Sequence, residues 1–244
     1  MLFRSVWGIG GQHSAFLKKN GIHTAYEFTQ YPKEWIKKHF TVVGLRTWDE
    51  LHGWPRIEAE LEPPSKKNIC TSRSFGKMQA DYLPIEEATA TYACRCAEKL
   101  RKQNSCAGVM MIFLHTNQFR SDLPQYAKNI VIKLPVATNS SLELVHYAKE
   151  GLRRIYKSGF YYKKSGVIVS DIVGQNQVQQ NFFDGRGRKK HRAIMNAMDS
   201  INVRQGKDAV RIATLGFSRD WKLKQQMMSK RASTRLSEII TVNI

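Results

Sequence analysis

The order of hydrophobic periodicities between residues 67 and 173 constrains the fold of this chain more than any other feature. Strand-like patterns cover residues 67–75, 106–116, 129–135 and 163–173. A stretch with the apolar spacing of an α-helix follows the first strand, and another follows the third. The resulting β-α-β-β-α-β order is typical of a ferredoxin-like split βαβ domain.

Both predicted helices carry a single apolar stripe. The first spans 84–104, and the second runs from about Leu142 to Ile155 and stops before Gly159. Because each helix has one face to bury, we expect both to cover the same face of a four-stranded sheet. The other face of the sheet then stays open for a partner.

The regions that flank this domain are less regular. We predict a small helical domain over 1–62, in which Thr24 caps one helix and Pro32 opens the first turn of the next. A Pro-rich linker, Glu62–Lys66, separates it from the central domain over 66–174. The fold class is therefore α+β.

The remaining residues, 175–244, form a loosely structured C-terminal extension in this interpretation. We predict a short helix over about 191–201 and a short strand over Val210–Ala213. A run of basic residues, 185–192, precedes that helix.

Positive charge is concentrated in the central domain and the extension. The chain carries 39 Lys and Arg against 20 Asp and Glu, a formal net charge of +19. The net charge is +1 over residues 1–65, but +9 over 66–173 and +9 over 174–244. Such a distribution favours an extended polyanion as partner, most simply nucleic acid. An anionic membrane is the rival, but the sequence shows no long basic amphipathic helix.

Composition argues for a soluble cytoplasmic protein with reduced thiols. No apolar run approaches the roughly 20 residues that span a bilayer, and the N-terminus does not read as a signal peptide. The four cysteines, Cys70, Cys94, Cys96 and Cys106, form no CxxC pair. The acidic pairs Asp49-Glu50 and Glu86-Glu87 are interpreted as structural, and we expect no metal site.

Two segments could hold phosphate groups. The first is the glycine-rich turn of Gly8, Ile9, Gly10 and Gly11 before a predicted helix, where backbone N–H groups and the helix dipole favour an anion. An ordinary glycine turn explains it equally well. The second is the strand 71–77, with Ser72, Arg73, Ser74 and Lys77 as candidate phosphate ligands. Alternation places Arg73 on the face opposite Ser72 and Ser74, and the sequence leaves open which face meets the partner.

A third segment could bind a protein. Gln179, Asn181, Phe182 and Phe183 place two adjacent aromatic side chains in a polar stretch. Exposed aromatic anchors suit a peptide that fills a pocket on a partner. The alternative is that both phenylalanines fold back on their own domain.

Taken together, these motifs resemble a known family in collinear order. The segment 6–10 with Gly21–Ala25 looks like the thumb of UmuC-type Y-family DNA polymerases, and 46–53 resembles the segment next to that thumb. Ser72–Gly76, 97–101 and Tyr162–Val167 resemble the little-finger domain of that family. The stretch 198–202 with Gly206-Lys207 resembles its C-terminal extension, although Ala232–Arg235 departs from the Tyr-Thr-Thr-Arg-like pattern of the family.

The resemblance implies a helix-hairpin-helix thumb and a little finger that lies along the primer–template, with Lys163 and Lys164 among the DNA-binding residues. It implies that Gln179–Phe183 is a sliding-clamp peptide, in which Phe182 replaces the usual Leu. It further implies damaged primer–template DNA, the clamp, a UmuD-type dimer and the RecA filament as partners in SOS mutagenesis and repair.

The resemblance also implies that catalysis belongs elsewhere. The catalytic magnesium ions of this family are held by a palm domain that precedes the thumb. We expect this chain to lack that palm, to hold no cofactor and to be inactive alone. The alternatives are a stand-alone, non-catalytic DNA- and clamp-binding accessory protein, and an RNA-binding module that uses the open face of the sheet.

Overall fold

The structure, a computed structural model, describes residues 5–58, 64–179, 181, 187–223 and 227–239. The chain divides into two compact units, Met1–Pro64 and Ser65–Ile244. Each unit has its own hydrophobic core, and the two are described in turn.

Three helices form the described part of the first unit: α1 (Gly11–Lys19), α2 (Ala25–Thr29) and α3 (Lys33–Leu51). Thr24 begins α2 with a capping box, in which its hydroxyl accepts a hydrogen bond from the N–H of Glu27 while the Glu27 carboxylate accepts one from the N–H of Thr24. The prediction of Thr24 as a cap is therefore confirmed. Pro32 lies at the N-cap of α3, one residue before the first-turn position that we predicted.

Helix α3 is interrupted at Thr41, where φ is +61° and ψ is −164°. A β-branched residue rarely adopts a positive φ, so the backbone is strained at this point. The interruption follows Phe40, whose ring packs edge-on against Phe28 with centroids 5.7 Å apart. The core of this unit contains Ile9, Leu17, Ile22, Phe28, Ile36 and Phe40.

The second unit is built on one antiparallel sheet. Its strands are β1 (Ile69–Gln79), β2 (Ser105–Thr116), β3 (Ala127–Thr138) and β4 (Tyr162–Gly174), and its helices are α4 (Tyr82–Lys102), α5 (Ser141–Ile155) and α6 (Arg188–Arg204). The strands lie in the order β1-β4-β2-β3. Both α4 and α5 pack on the same sheet. The predicted β-α-β-β-α-β order and four-stranded sheet are therefore confirmed.

Alternation along β2 distinguishes the two faces of the sheet. Met110, Ile112 and Leu114 are fully buried in the core beneath the helices. The intervening residues, including Met111 and His115, point to the other side. We call that side, away from α4 and α5, the open face.

The residues after α6 fold back onto this domain. Leu215 and Trp221 are buried in its core, and the N–H of Gly76 on β1 donates a 3.1 Å hydrogen bond to the carbonyl of Trp221. A Cβ on Gly76 would lie 2.3 Å from the carbonyl oxygen of Lys222, so this close approach requires glycine.

The predicted strand over Val210–Ala213 is wrong. The chain instead forms a 3₁₀ turn at Ala213–Leu215. The side chain of Asn202 binds both the N–H and the carbonyl of Val210, each at 2.9 Å. Because these backbone groups are already bonded, they are not available to a strand ladder.

Candidate nucleic-acid interface

The glycine-rich turn leads directly into α1. Gly8 has φ +86°, and the N–H of Ile9 donates to the carbonyl of Val6 at 3.2 Å, which closes the turn. Ile9 is buried and anchors the turn to the core of its unit. The predicted glycine turn before a helix is confirmed.

Open space lies above the start of α1. Gly10 is the N-cap residue, and no atom lies within 4 Å of a Cβ built on Gly10 or Gly11. The first N–H groups of a helix have no partner within the helix. An anion can therefore approach the backbone at this point, helped by the partial positive charge of the helix terminus.

The candidate residues of β1 are divided between the two faces of the sheet. Ser72 pairs with Gly166 of β4, and Ser74 pairs with Lys164. Thr71, by contrast, contacts the thiol of Cys96 on α4, which places Thr71 and Arg73 on the helix side. Ser72 and Ser74 therefore lie on the open face, as alternation predicted, and Arg73 does not.

The two adjacent lysines of β4 also diverge. Lys164 is exposed on the open face, with Nζ 5.9 Å from the centroid of the Phe113 ring. Lys163 is half-buried, and its Nζ donates a 2.9 Å hydrogen bond to the carbonyl of Phe75. Lys77, near the end of β1, is exposed.

The sequence did not single out two aromatic side chains on the open face. The rings of Phe113 and His115 on β2 lie 5.0 Å apart between centroids. Phe113 is only 9% exposed because its ring lies across Gly166, where a Cβ would come within 2.4 Å of Phe113 Cζ. Partial burial and the nearby Lys164 ammonium lower the pKa of His115, which favours a neutral imidazole at pH 7.

A polar depression of about 640 Å³ lies at one end of this face. It brings together residues from all four strands and the loop between β2 and β3, and these include Ser74, His115, Asn117, Gln125, Lys163 and Lys164. Hydroxyl, amide and ammonium groups are the usual protein ligands of phosphate oxygens. The depression thus collects three of the predicted residues from distant parts of the sequence.

The predicted peptide is only partly visible. Gln179 and Asn181 are exposed beyond the end of β4. Phe182 and Phe183 lie outside the described residues. The interpretation of this segment as a binding peptide therefore stays a prediction.

One residue of each acidic pair has a structural partner. Asp49 is buried, with Arg56 Nε at 2.8 Å and Lys33 Nζ at 3.6 Å from its carboxylate. Glu86 contacts Lys149 Nζ at 3.5 Å. Within the described ranges, no group of three or more His, Cys, Asp or Glu side chains is placed to hold a metal ion.

The cysteines are free thiols. Burial raises the pKa of Cys94 to about 12 and that of Cys96 to about 11, so both remain protonated and inert. In the part of the chain that the structure describes, no helix is both long and apolar enough to cross a bilayer.

Comparison with known proteins agrees with this architecture. Residues 66–182 match the model of the impB/mucB/samB family C-terminal domain. Residues 192–242 match the model of a domain of unknown function, DUF4113. The sheet, α4 and α5 thus lie in the first match, and most of α6 and the segment that folds back onto α4 lie in the second.

Several curated proteins are similar along nearly the whole chain. Protein UmuC of Salmonella typhimurium is 35% identical over 97% of this chain and 56% of its own length. Protein MucB of Escherichia coli is 33% identical over 94% of this chain and 54% of its own length. The putative UV-damage repair protein UvrX of Bacillus subtilis is 26% identical over 84% of this chain and 48% of its own length.

The chain spans about half the length of the curated relatives it matches. The name of UvrX refers to UV-damage repair, and the collinear motifs noted in the sequence resemble the family of UmuC. The chain therefore carries the C-terminal domain of the impB/mucB/samB family and corresponds to the C-terminal part of a UmuC-type Y-family protein.

Proposed function

We propose that this chain is the DNA-binding C-terminal portion of an error-prone translesion DNA polymerase that acts in SOS mutagenesis and DNA repair. In this proposal it grips the primer–template backbone and tethers the polymerase to the sliding clamp. The observation that carries the proposal is the open face, where Ser72, Ser74 and Lys164 project from a sheet that no described helix covers on that side.

The chemistry of this face suits backbone contacts rather than base reading. Hydroxyl and ammonium groups bind phosphate oxygens without regard to sequence. Phe113 is too deeply covered to offer its ring face to an unstacked base, so the face resembles a duplex-binding surface more than a single-strand platform. This argument favours duplex DNA over the RNA-binding alternative.

The first unit supplies a second backbone contact in the proposal. Its three helices, with the glycine turn before α1, serve as the helix-hairpin-helix thumb. The N–H groups at Gly10 and Gly11 would receive one phosphate, since the space above them is open. Such contacts hold a duplex in place but carry no sequence information.

Tethering is assigned to Gln179–Phe183, and a UmuD-type dimer and the RecA filament are further proposed partners. The peptide follows the last strand of the domain, where Gln179 and Asn181 are exposed. We propose that catalytic magnesium belongs to the palm of the complete polymerase and that this chain holds no cofactor.

DNA binding is tested by its salt dependence. If about four to six phosphates are neutralised, log K for a primer–template duplex should fall with log salt with a slope between about −3.6 and −5.4. Lys164→Gln should make the slope less steep by about 0.9. Arg154→Gln, an exposed position on α5 and so on the helix side of the sheet, is the matched control and should leave it unchanged. A flat salt response of the unaltered chain would rule the proposal out.

Clamp binding needs a separate test. The double substitution Phe182→Ala and Phe183→Ala should abolish binding to the purified sliding clamp, because the aromatic anchors are lost. DNA affinity should stay within about twofold, since no phosphate ligand has changed. If the double variant still binds the clamp, the peptide assignment is wrong.

A further inference from the structure

The first turn of α6 carries an unusual concentration of positive charge. Arg188, Lys189, Lys190 and Arg192 follow one another with His191 between them, and the first turn holds no acidic residue. The N-terminus of a helix is partially positive, so cations there are unfavourable for the helix itself. Helix stability does not explain this run, which points instead to an external anion.

Two of these side chains face inward and fix the orientation of the turn. Arg188 Nη1 and His191 Nδ1 each lie 3.5 Å from Oε1 of Glu143, a carboxylate that is only 5% exposed. One turn further on, Met195 is buried. The spacing of these inward residues leaves Lys189, Lys190 and Arg192 exposed.

A second anchor holds α6 against the domain. Arg101 on α4 donates two hydrogen bonds, of 2.6 and 2.8 Å, to the carboxylate of Asp199. The same guanidinium donates to the carbonyl of Asn139 at 2.8 Å and to Ser141 Oγ at 3.0 Å. The helix is therefore held firmly at the start of α5, so the exposed cations have a defined position.

A groove of about 340 Å³ lies between the start of α6 and the start of α5. Its lining combines the basic turn with side chains near the start of α5 and the end of β4, and includes Asn139, Ser140, Gln175, Asn176, Lys189 and Arg192. Lys189 and Arg192 are three residues apart and thus neighbours on the helix surface. No acidic side chain among the described residues pairs with either of them.

We propose that this groove and the basic turn of α6 bind the sugar–phosphate backbone of duplex DNA, as a contact region separate from the open face. The inference rests on the proposed DNA-binding function and extends it to the start of the C-terminal extension. Amides, a hydroxyl and cations that no described carboxylate neutralises are, in one groove, the ligand set that phosphate oxygens require. Arg188 and His191 position the groove, while Lys189 and Arg192 contact the DNA.

The spacing along the sheet fits a single duplex. Cys106 of β2 lines the groove, whereas His115 of the same strand lines the polar depression. Nine residues of strand separate them, which is about 30 Å. One turn of B-DNA is about 34 Å long. A duplex that runs along the strands is therefore long enough to reach both regions.

The test uses the full chain and a primer–template duplex between 50 and 200 mM salt. The double substitution Lys189→Gln and Arg192→Gln should make the salt slope less steep by about 1.8, which is 0.9 for each lost phosphate contact. The control removes two exposed cations, Arg154→Gln and Lys157→Gln, at the other end of α5, about 20 Å away. It should leave the slope unchanged, and the charge-conserving pair Lys189→Arg and Arg192→Lys should retain it.

An unchanged slope in the Lys189 and Arg192 variant, or an equal change in the control, would overturn the inference. If Lys164→Gln makes the salt slope less steep but the Lys189 and Arg192 double variant does not, this inference alone fails and the proposed function stands. If the unaltered chain has no salt-dependent affinity, the proposed function fails as well. Vesicles of phosphatidylserine and phosphatidylcholine test the membrane alternative. If the Lys189 and Arg192 double variant loses vesicle binding but keeps its DNA slope, the basic turn binds a membrane instead.

Discussion

The indole of Trp221 packs edge-on against the ring of Tyr92, with the ring centroids 5.7 Å apart and the planes at 82°. Tyr92 lies on α4, and Trp221 lies in the segment after α6. Both are almost fully buried. This contact joins the region matched by the DUF4113 model to the domain matched by the impB/mucB/samB model.

We therefore expect Trp221→Ala to destabilise the second unit by about 3–5 kcal/mol, the usual cost of removing a buried aromatic side chain. Phe217→Ala is the control, because Phe217 is 79% exposed and contacts mainly Arg211. Its cost should be below about 1 kcal/mol. Urea denaturation of both variants gives the comparison, and equal costs would show that the segment does not stabilise the domain.

A second anchor of the same segment is ionic. Asp208 accepts hydrogen bonds from Arg95 of α4 and, at 2.8 Å, from Arg219 Nη1. Arg219 is buried, so removing its partner would leave a poorly solvated charge. Asp208→Asn should cost about 3–5 kcal/mol, as for other broken buried pairs. Arg211→Gln, which removes a cation outside this network, should cost far less.

The same network predicts how stability depends on pH. Burial would raise the pKa of Asp208, but the hydrogen bond from Arg219 and the charge of Arg95 outweigh it, and the pKa is lowered. A lowered folded-state pKa adds stability above the ordinary Asp value of about 3.9, and this stability is lost as pH falls through the folded-state pKa. Urea midpoints between pH 6 and pH 3 should fall less in Asp208→Asn than in the unaltered chain. Parallel curves would contradict the prediction.

Periodicity was sufficient to predict the sheet and its two covering helices. The apolar residues of β2 alternate along the strand, and those of α5 recur every three or four residues over several turns. Each segment therefore has only one face to bury. Local chemistry was also readable at Thr24, where a hydroxyl and a Glu three residues later make a capping box.

The course of the chain after α6 could not be predicted in this way. Among the described residues after α6, only Leu215 and Trp221 are buried in the core, with Ile212 packed against it, and these are too few to form a periodic pattern. The turns that bring them back use positive φ at Gly206 and Gly216 but also at Asp208 and Arg219, so glycines mark only part of the bends. These conformations are imposed by tertiary contacts such as the shared carboxylate of Asp208.

Part of the candidate site could not be predicted from the sequence for a related reason. Alternation assigns Phe113 and His115 to the open face, but the covering of Phe113 depends on its register opposite Gly166 in a strand about 50 residues away. Cross-strand register is a long-range property that a local pattern does not contain.

That register makes Gly166 a test of the open face. A Cβ at this position would lie 2.4 Å from both Phe113 Cζ and Ser72 Cβ. Gly166→Ala should therefore destabilise the domain by about 1–3 kcal/mol through overpacking, and should weaken DNA binding because Ser72 is displaced. In a Phe113→Leu background the same substitution should cost less, which a double-mutant cycle in urea would reveal. Additive costs would mean that the Phe113 ring does not limit the site.

Two glycines of the turn in the first unit can distinguish a role in stability from a role in DNA binding. Gly8 has a positive φ, so Gly8→Ala should destabilise that unit by about 1 kcal/mol. Gly10 has φ −79° and open space around it, so alanine fits there without backbone strain, but alanine is a poorer N-cap than glycine, and Gly10→Ala should cost at most about 1 kcal/mol. The added methyl group would nevertheless stand where a phosphate must approach the first N–H groups of α1. Denaturation curves and duplex affinity measured on both variants decide the matter. Unchanged affinity in Gly10→Ala would show that the turn is a structural bend and that DNA phosphates are held elsewhere on the chain.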